Sequence, residues 1–214
     1  MVGAPRVDAA ELYGLLQNLA SPIVAITSAS GRERNGMIVN SAVRASIAPR
    51  HPRLALYVHT FNHSHGLILH GRAFALHLLR DDQWDLIHTL GFASGRERDK
   101  LDGLSFTTGE TGCPLLHDCF AAFECRVANH MHAGASTFFL GDVVHAIRGT
   151  GERVMTAAHF RANLRPDWRA EYLENLASAQ ALADSALDAS GAAVSFGGSG
   201  GDASSDASGQ SSRD

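Results

Sequence analysis

The chain has only three cysteines in 214 residues, Cys113, Cys119 and Cys125. That number cannot build a disulfide framework and suits a reducing compartment. No run is long and apolar enough to cross a bilayer as a helix. The opening residues, MVGAPRVDAAELYG, lack the apolar core of a secretory signal. The expectation is a soluble, cytoplasmic protein with no membrane contact. The net charge is −4, and arginine and lysine are scattered rather than gathered into a basic stripe. That leaves no electrostatic case for nucleic acid. No G-x-G-x-x-G follows a strand pattern, which argues against a dinucleotide-binding Rossmann unit.

Hydrophobic residues make up 45% of the chain, enough for one domain with a real core. Residues 8–19 carry Leu12, Leu15, Leu16 and Leu19 on one helical face, with Asp8 placed as its cap. IVAITSAS reads as a strand that turns at Gly31, and MIVNSAV as a second strand. RLALYVHT and AFALHLL read as a third and a fourth. Between these last two, FNHSHGLILHG opens a short helix that closes at Gly71. DDQWDLIHTLGF is a helix with acidic residues in its first turn. CFAAFECRVAN and STFFLGDVVHAIR are two more strands, expected to be neighbours. DWRAEYLENLASAQALADSAL is a long helix with Trp168, Tyr172, Leu176, Ala179 and Ala183 on one side. Many short strands without regular long crossovers give a mainly β fold, a barrel with helices added at both ends. The domain spans residues 1–188. The remainder, 189–214, is Gly, Ser and Asp with few apolar residues, and is expected to be disordered.

Several features admit two readings. The sequence SGRER occurs at 30–34 and again at 94–98. Turn chemistry explains it, or two basic loops face one anion. Twelve histidines include HSH at 63–65, HDC at 117–119 and HMH at 130–132. A two-residue spacing on a strand puts both donors on one face and can suit zinc or copper. No third ligand stands at a telling spacing, and scattered polar histidines account for the pattern more simply. Cys119 and Cys125 are placed on one face of one strand as small buried hydrophobes. Cys113, in the loop ahead of Pro114, is the cysteine placed for exposure.

RNGMIVNSAVRASIAPRHPRLALYV, residues 34–58, sets small polar residues ahead of an apolar strand. Asn40, Ser41 and Ser46 offer hydrogen-bonding groups, while Ala42 and Ala45 keep the backbone approachable. Strand-end residues bonded to backbone explain this, or a planar ligand comes close. Residues 20–79 together resemble the core of the flavin reductase-like family, the FMN-binding split barrels. Asn-Gly-Met after the first strand, the Ser-rich segment, the Pro-bounded strand and FALHLL stand in the family's order. GFASGRERDKLDGLSF, GCPLLHDCFAAFECRV and FFLGDVVHA continue it to about residue 147.

The resemblance implies a homodimeric split barrel that binds FMN near the subunit interface. It also implies an oxidoreductase that moves electrons from NAD(P)H to a flavin, a partner monooxygenase or another acceptor. Carried over by position, the cofactor-binding residues are Thr27, Ser28, Asn40, Ser41, Ala42, Val43, Ser46, Ser64 and His65. Lys100, with Arg98 beside it, is placed to neutralise phosphate. The family pattern has Thr where this chain has Ile38 and Gly66. It has His ahead of the FFLGDVV strand, where this chain has Ser136 and Thr137, so nicotinamide contacts are not carried over. An electron-transfer protein of flavoredoxin type and a metal-binding barrel are the alternatives.

Overall fold

The structure, a computed structural model, describes residues 8–16, 18–19 and 21–191. The elements run α1 (Ala9–Leu16), β1 (Val24–Ser30), β2 (Glu33–Val39), β3 (Val43–Arg44), β4 (Arg53–His59), α2 (His63–Gly71), β5 (Ala73–Leu78) and α3 (Trp84–Gly91). They continue with β6 (Phe106–Thr108), β7 (Pro114–Leu116), β8 (Ala121–His132), β9 (Ser136–Arg148), α4 (Ala157–Asn163) and α5 (Pro166–Ala189). Seven strands form one antiparallel sheet in the order β2-β1-β5-β8-β9-β4-β3, and β6 and β7 make a separate hairpin. Register shifts in the β8–β9 pairing, at Glu124/Cys125 and Val127/Asn129, bend the two longest strands and curl the sheet.

Strand periodicity builds two cores back to back. On β1, Val24 and Ile26 face a core with Met37, Leu56, Phe74, Leu76 and Phe139 inside the curl. Ile23 and Ala25 face the other way, toward Leu79, Ile87, Leu90, Met155 and Phe160. Phe74 and Phe139 are fully buried, each worth roughly 1.5–3 kcal/mol of burial. His77 on β5 is buried between the layers. Leu116 N–H donates to its Nε2 at 3.1 Å, and Nδ1 donates to Ala25 O at 3.3 Å. Burial lowers its pKa to about 4, so the ring is neutral.

Several expectations need correction. MIVNSAV is not one strand. β2 starts earlier, at Glu33, pairs with β1 through a tight turn at Gly31 (φ 61°), and ends at Val39. Val43 and Arg44 then join β4 on the opposite edge. The small residues between let the chain cross from one edge to the other. Ser21 Oγ donates to Asn40 O, and Ser41 Oγ donates to Tyr57 O at 2.9 Å. At the end of α2 the left-handed residue is Arg72 (φ 55°), not Gly71. Gly71 serves close packing instead, because a Cβ there would collide with the carbonyl of Ala29.

Cys119 lies ahead of β8, so it and Cys125 do not share a strand. Cys113 is fully buried rather than exposed, packed with Ala73, Ala75 and Leu115. Burial raises the thiol pKa of Cys113, and takes Cys119 to about 11 and Cys125 to about 12. None is a thiolate near neutrality. Asp8 caps α1 as expected, its Oδ1 accepting from Glu11 N at 2.8 Å. Yet Leu15, Leu16 and Leu19 on that helix face are exposed. Helix α5 reaches Ala189, past the expected domain end at 188. Of the expected tail, residues 192–214 lie outside the described residues.

Candidate functional site

The segment from Asn40 to Ser46 forms the wall between two cavities. One, of about 510 Å³, is lined by Asn40, Ser41, Val43, Tyr57, Phe138 and Arg161, with α1 along one side. The other, of about 730 Å³, is lined by Ala42, Val43, Ser46, Leu54, Leu76 and Phe123, among others. The two share Ser21 and Val43. Both lie in the range of small-molecule sites. The larger is mainly apolar; the smaller sets a tilted pair of rings, Tyr57 and Phe138 at 5.8 Å, opposite amide and hydroxyl groups.

The chain crossing between sheet edges leaves donors unused. The backbone N–H groups of Ser41 and Ala42 make no backbone hydrogen bond among the described residues. Among the described residues the Asn40 carboxamide makes no side-chain bond, while the Ser41 and Ser46 hydroxyls are already engaged, with Tyr57 O and with Ala48 N at 3.1 Å. Free N–H groups beside an apolar cavity suit a ligand with a flat face and an edge of acceptors.

The other expected residues do not gather there. Thr27 and Ser28 are buried in β1. Thr27 Oγ1 donates to Pro114 O, and Ser28 Oγ has no hydrogen-bond partner. Ser64 is buried at the start of α2 and accepts from Asn35 Nδ2 at 2.9 Å. His65 Nε2 lies 2.8 Å from Thr137 Oγ1. Its pKa is lowered, by burial first and then by the neighbouring His132, His130 and His70. Lys100 is buried, and its Nζ donates to Leu90 O at 2.7 Å. Ser64 and Lys100 line a further cavity of about 400 Å³, with Asn35, which sequence reasoning passed over. Its place directly before Gly36, in the quoted Asn-Gly-Met, was the available signal. Tyr57 and Phe138 were read as strand residues only, because the pairing of β4 with β9 that joins them is long-range. His63 opens α2 rather than a strand, and His130 and His132 are exposed on β8. No group of three His, Cys, Asp or Glu side chains among the described residues is arranged to hold a metal ion.

The family model described as "Flavin reductase like domain" matches residues 16–166. The chain belongs to this family. The match takes in every strand of the sheet and ends where α5 begins. A high molecular weight rubredoxin from Moorella thermoacetica is 31% identical over 147 residues, covering 68% of this chain and 63% of that one. The chain therefore matches under two thirds of that relative. A ferric-chelate reductase (NAD(P)H) from Archaeoglobus fulgidus is 28% identical over 137 residues, covering 63% of this chain and 80% of that one. Among solved structures, the NADH:FAD oxidoreductase SgcE6 of Streptomyces globisporus, in complex with NAD and FAD fragments, superposes with a TM-score of 0.65. It is 25% identical and covers 77% of this chain and 99% of that one. The curled sheet is the split barrel of these flavin reductases.

Proposed function

We propose that this chain is an FMN-dependent oxidoreductase that takes hydride from NAD(P)H and passes electrons to a flavin or another acceptor. The observation that carries the reading is the 40–46 wall, with free backbone N–H groups between two adjoining cavities. Its family membership and the reductases among its relatives support the same chemistry. An FMN reductase (NADH), SmoA, from Agrobacterium fabrum is 30% identical over 130 residues, covering 61% of this chain and 71% of that one.

FMN when bound supplies the hydride-accepting ring, and no protein acid or base is needed for that transfer. The chain's task is to hold and orient. The N–H groups of Ser41 and Ala42 and the Asn40 carboxamide would hold the ring by its acceptor edge, and donors there would favour its reduced, negatively charged form. Val43, Tyr57 and Phe138 supply apolar contact.

The partner in electron transfer is a monooxygenase or a small acceptor. The reductase component of a 4-nitrophenol monooxygenase from Rhodococcus opacus is 24% identical over 176 residues, which favours the former. The chain works as a homodimer: exposed Leu16 and Leu19 of the α1 region line the Asn40 cavity, and a second copy would cover them.

The test is a visible spectrum of the purified protein with release and identification of any pigment, then anaerobic NADH. A bound FMN that bleaches with NADH is expected. Asn40→Ala should weaken FMN binding by about 3- to 10-fold, the worth of one hydrogen bond. Protein that stays colourless in excess FMN would overturn the reading.

A further inference from the structure

The core inside the curled sheet is left open on one side. The larger cavity, of about 730 Å³, is where that core meets the outside. Its floor is a cross-strand row: Leu76 on β5 stands opposite Phe123 on β8, and Phe123 opposite Ala146 on β9. Val24 and Leu78, paired between β1 and β5, extend the row. Leu54, Leu78, Phe123 and Val143 pack on the buried core yet stay partly exposed, because they also line the cavity. The shift at Glu124/Cys125 pairs those two residues with His145 and Val143 and leaves Val144 unpaired, which bends β9 beside the cavity.

The rim is formed in advance. Pro22, Pro49 and Pro52 fix the backbone at three points around it. The 45–52 loop is tied at both ends, Ala45 N donating to Arg53 O at 2.8 Å and Val143 N to Pro52 O at 3.0 Å. Within it His51 N donates to Ala48 O at 3.1 Å. The two hydroxyls of the lining, on Ser21 and Ser46, are engaged within the chain itself. Ile47 stands 90% exposed on the same rim. A ligand that enters finds apolar walls and a mouth that needs little ordering.

Two arginines line this cavity, and only one is neutralised. Arg53 Nε lies 2.7 Å from Asp142 Oδ1. Arg44, on the short edge strand β3, has no ion pair and no side-chain hydrogen bond among the described residues. Among those residues no carboxylate lines the cavity. An apolar cavity with a single free cation favours an apolar body with a single anionic end. A cationic head would meet Arg44 with like charge. A dianion would give up its hydration against apolar walls for one partner. A carboxylate is the monoanion whose two oxygens match the guanidinium fork.

We propose that this cavity binds an amphipathic monocarboxylate, its apolar body on the Leu76–Phe123–Ala146 row and its carboxylate on Arg44. The site is distinct from the proposed flavin site, since the two cavities share only Ser21 and Val43. It stands whether or not flavin binds. The experiment is calorimetric titration of the full chain with decanoate, with octanoate to vary chain length and 1-decanol to remove the charge. Three variants are compared. Arg44→Gln removes the free cation, and Ala146→Trp fills the floor. Arg50→Gln removes an equal charge from the 45–52 loop outside the lining. All three positions are exposed, so no core is disturbed, and melting curves establish that each variant is folded.

Decanoate should bind the wild type about tenfold more tightly than octanoate, the worth of two buried methylenes. It should also bind about three- to tenfold more tightly than 1-decanol. Arg44→Gln should erase that second margin and Arg50→Gln should keep it. Ala146→Trp should weaken all three ligands by about tenfold or more. Absence of decanoate binding overturns the site, as does a margin that survives Arg44→Gln or an affinity that Ala146→Trp leaves unchanged. Binding seen only when dilution yields single chains would show that a second copy fills the cavity, and overturns it too. Loading with FMN should leave decanoate affinity unchanged; competition between the two would give the cavity to the flavin and overturn the proposal. A chain that binds decanoate but no flavin sinks the proposed function and leaves this site standing.

Discussion

Lys100 and Gly71 show how much one position decides. Between pH 8 and 10.5 the folded state releases the Lys100 proton while the unfolded chain keeps it, because the folded pKa is lowered to about 8. The unfolded state then binds more protons, so stability rises with pH across that window. Arg98 shares in the shift, and Arg96, His63 and Glu97 share the cavity. In urea unfolding at pH 8 and pH 9.5, the wild type should gain up to about 1.4 kcal/mol per pH unit relative to Lys100→Met. Equal slopes would mean the ammonium is well compensated. Gly71→Ala is predicted to cost roughly 2 kcal/mol or more, because backbone must move. Its Cβ would meet the Ala29 carbonyl, which cannot swing aside like a side chain. A melting temperature unchanged within a degree would show that α2 shifts freely on β1. Sequence marked Gly71 as a helix stop; only the packing of α2 on β1 reveals that its role is proximity, and that Arg72 takes the turn.

At the scale of elements, the regular pieces were legible because their period is local. β1, β4, β5, β8, β9 and α3 stand close to where their patterns put them, and the stripe from Trp168 to Ala183 is the face α5 turns toward the protein. The break at Asn40 was not legible. It depends on Ser21 and Tyr57 bonding to residues far along the chain, and on β3 joining the opposite sheet edge. The β6–β7 hairpin was missed for a similar reason, since three-residue strands carry no usable period. Likewise the candidate site was legible as a segment, 40–46, but not as a cavity. Thr27, Ser28, Ser64 and Lys100 share the family's order without lining that wall. Helix α5 yields a prediction of its own. With no buried residue, it is held by its ring contacts at His88, Phe92 and Phe160. Trp168→Ala should speed hydrogen exchange through residues 166–189 by tenfold or more while lowering global stability by less than about 1 kcal/mol. Exchange that slows or stays the same would mean the helix is fastened elsewhere.

At the scale of the whole molecule, the apolar surface is the feature that one chain leaves unexplained. Leu15 is 55% exposed, Leu16 52%, Leu19 76%, Val43 56% and Phe138 44%. Four of these five, all but Leu15, line the Asn40 cavity, so this part of the exposed apolar surface is continuous with the site. Soluble monomers seldom leave such a patch uncovered, and a two-fold dimer covers one patch with its own copy. The second copy would then close the outer side of the proposed flavin site, which would couple assembly to cofactor affinity. Leu19→Glu with Phe138→Glu places two charges on that surface without touching either core. Light scattering should give twice the chain mass for the wild type and the single-chain mass for the double variant. FMN affinity should fall with it by about tenfold or more, because exclusion of water from the ring is lost along with contact. Raising the concentration of the variant should not restore the affinity. A wild type that is monomeric and still holds FMN tightly would break the link between the patch and the site, and would leave α1 alone to wall the cavity.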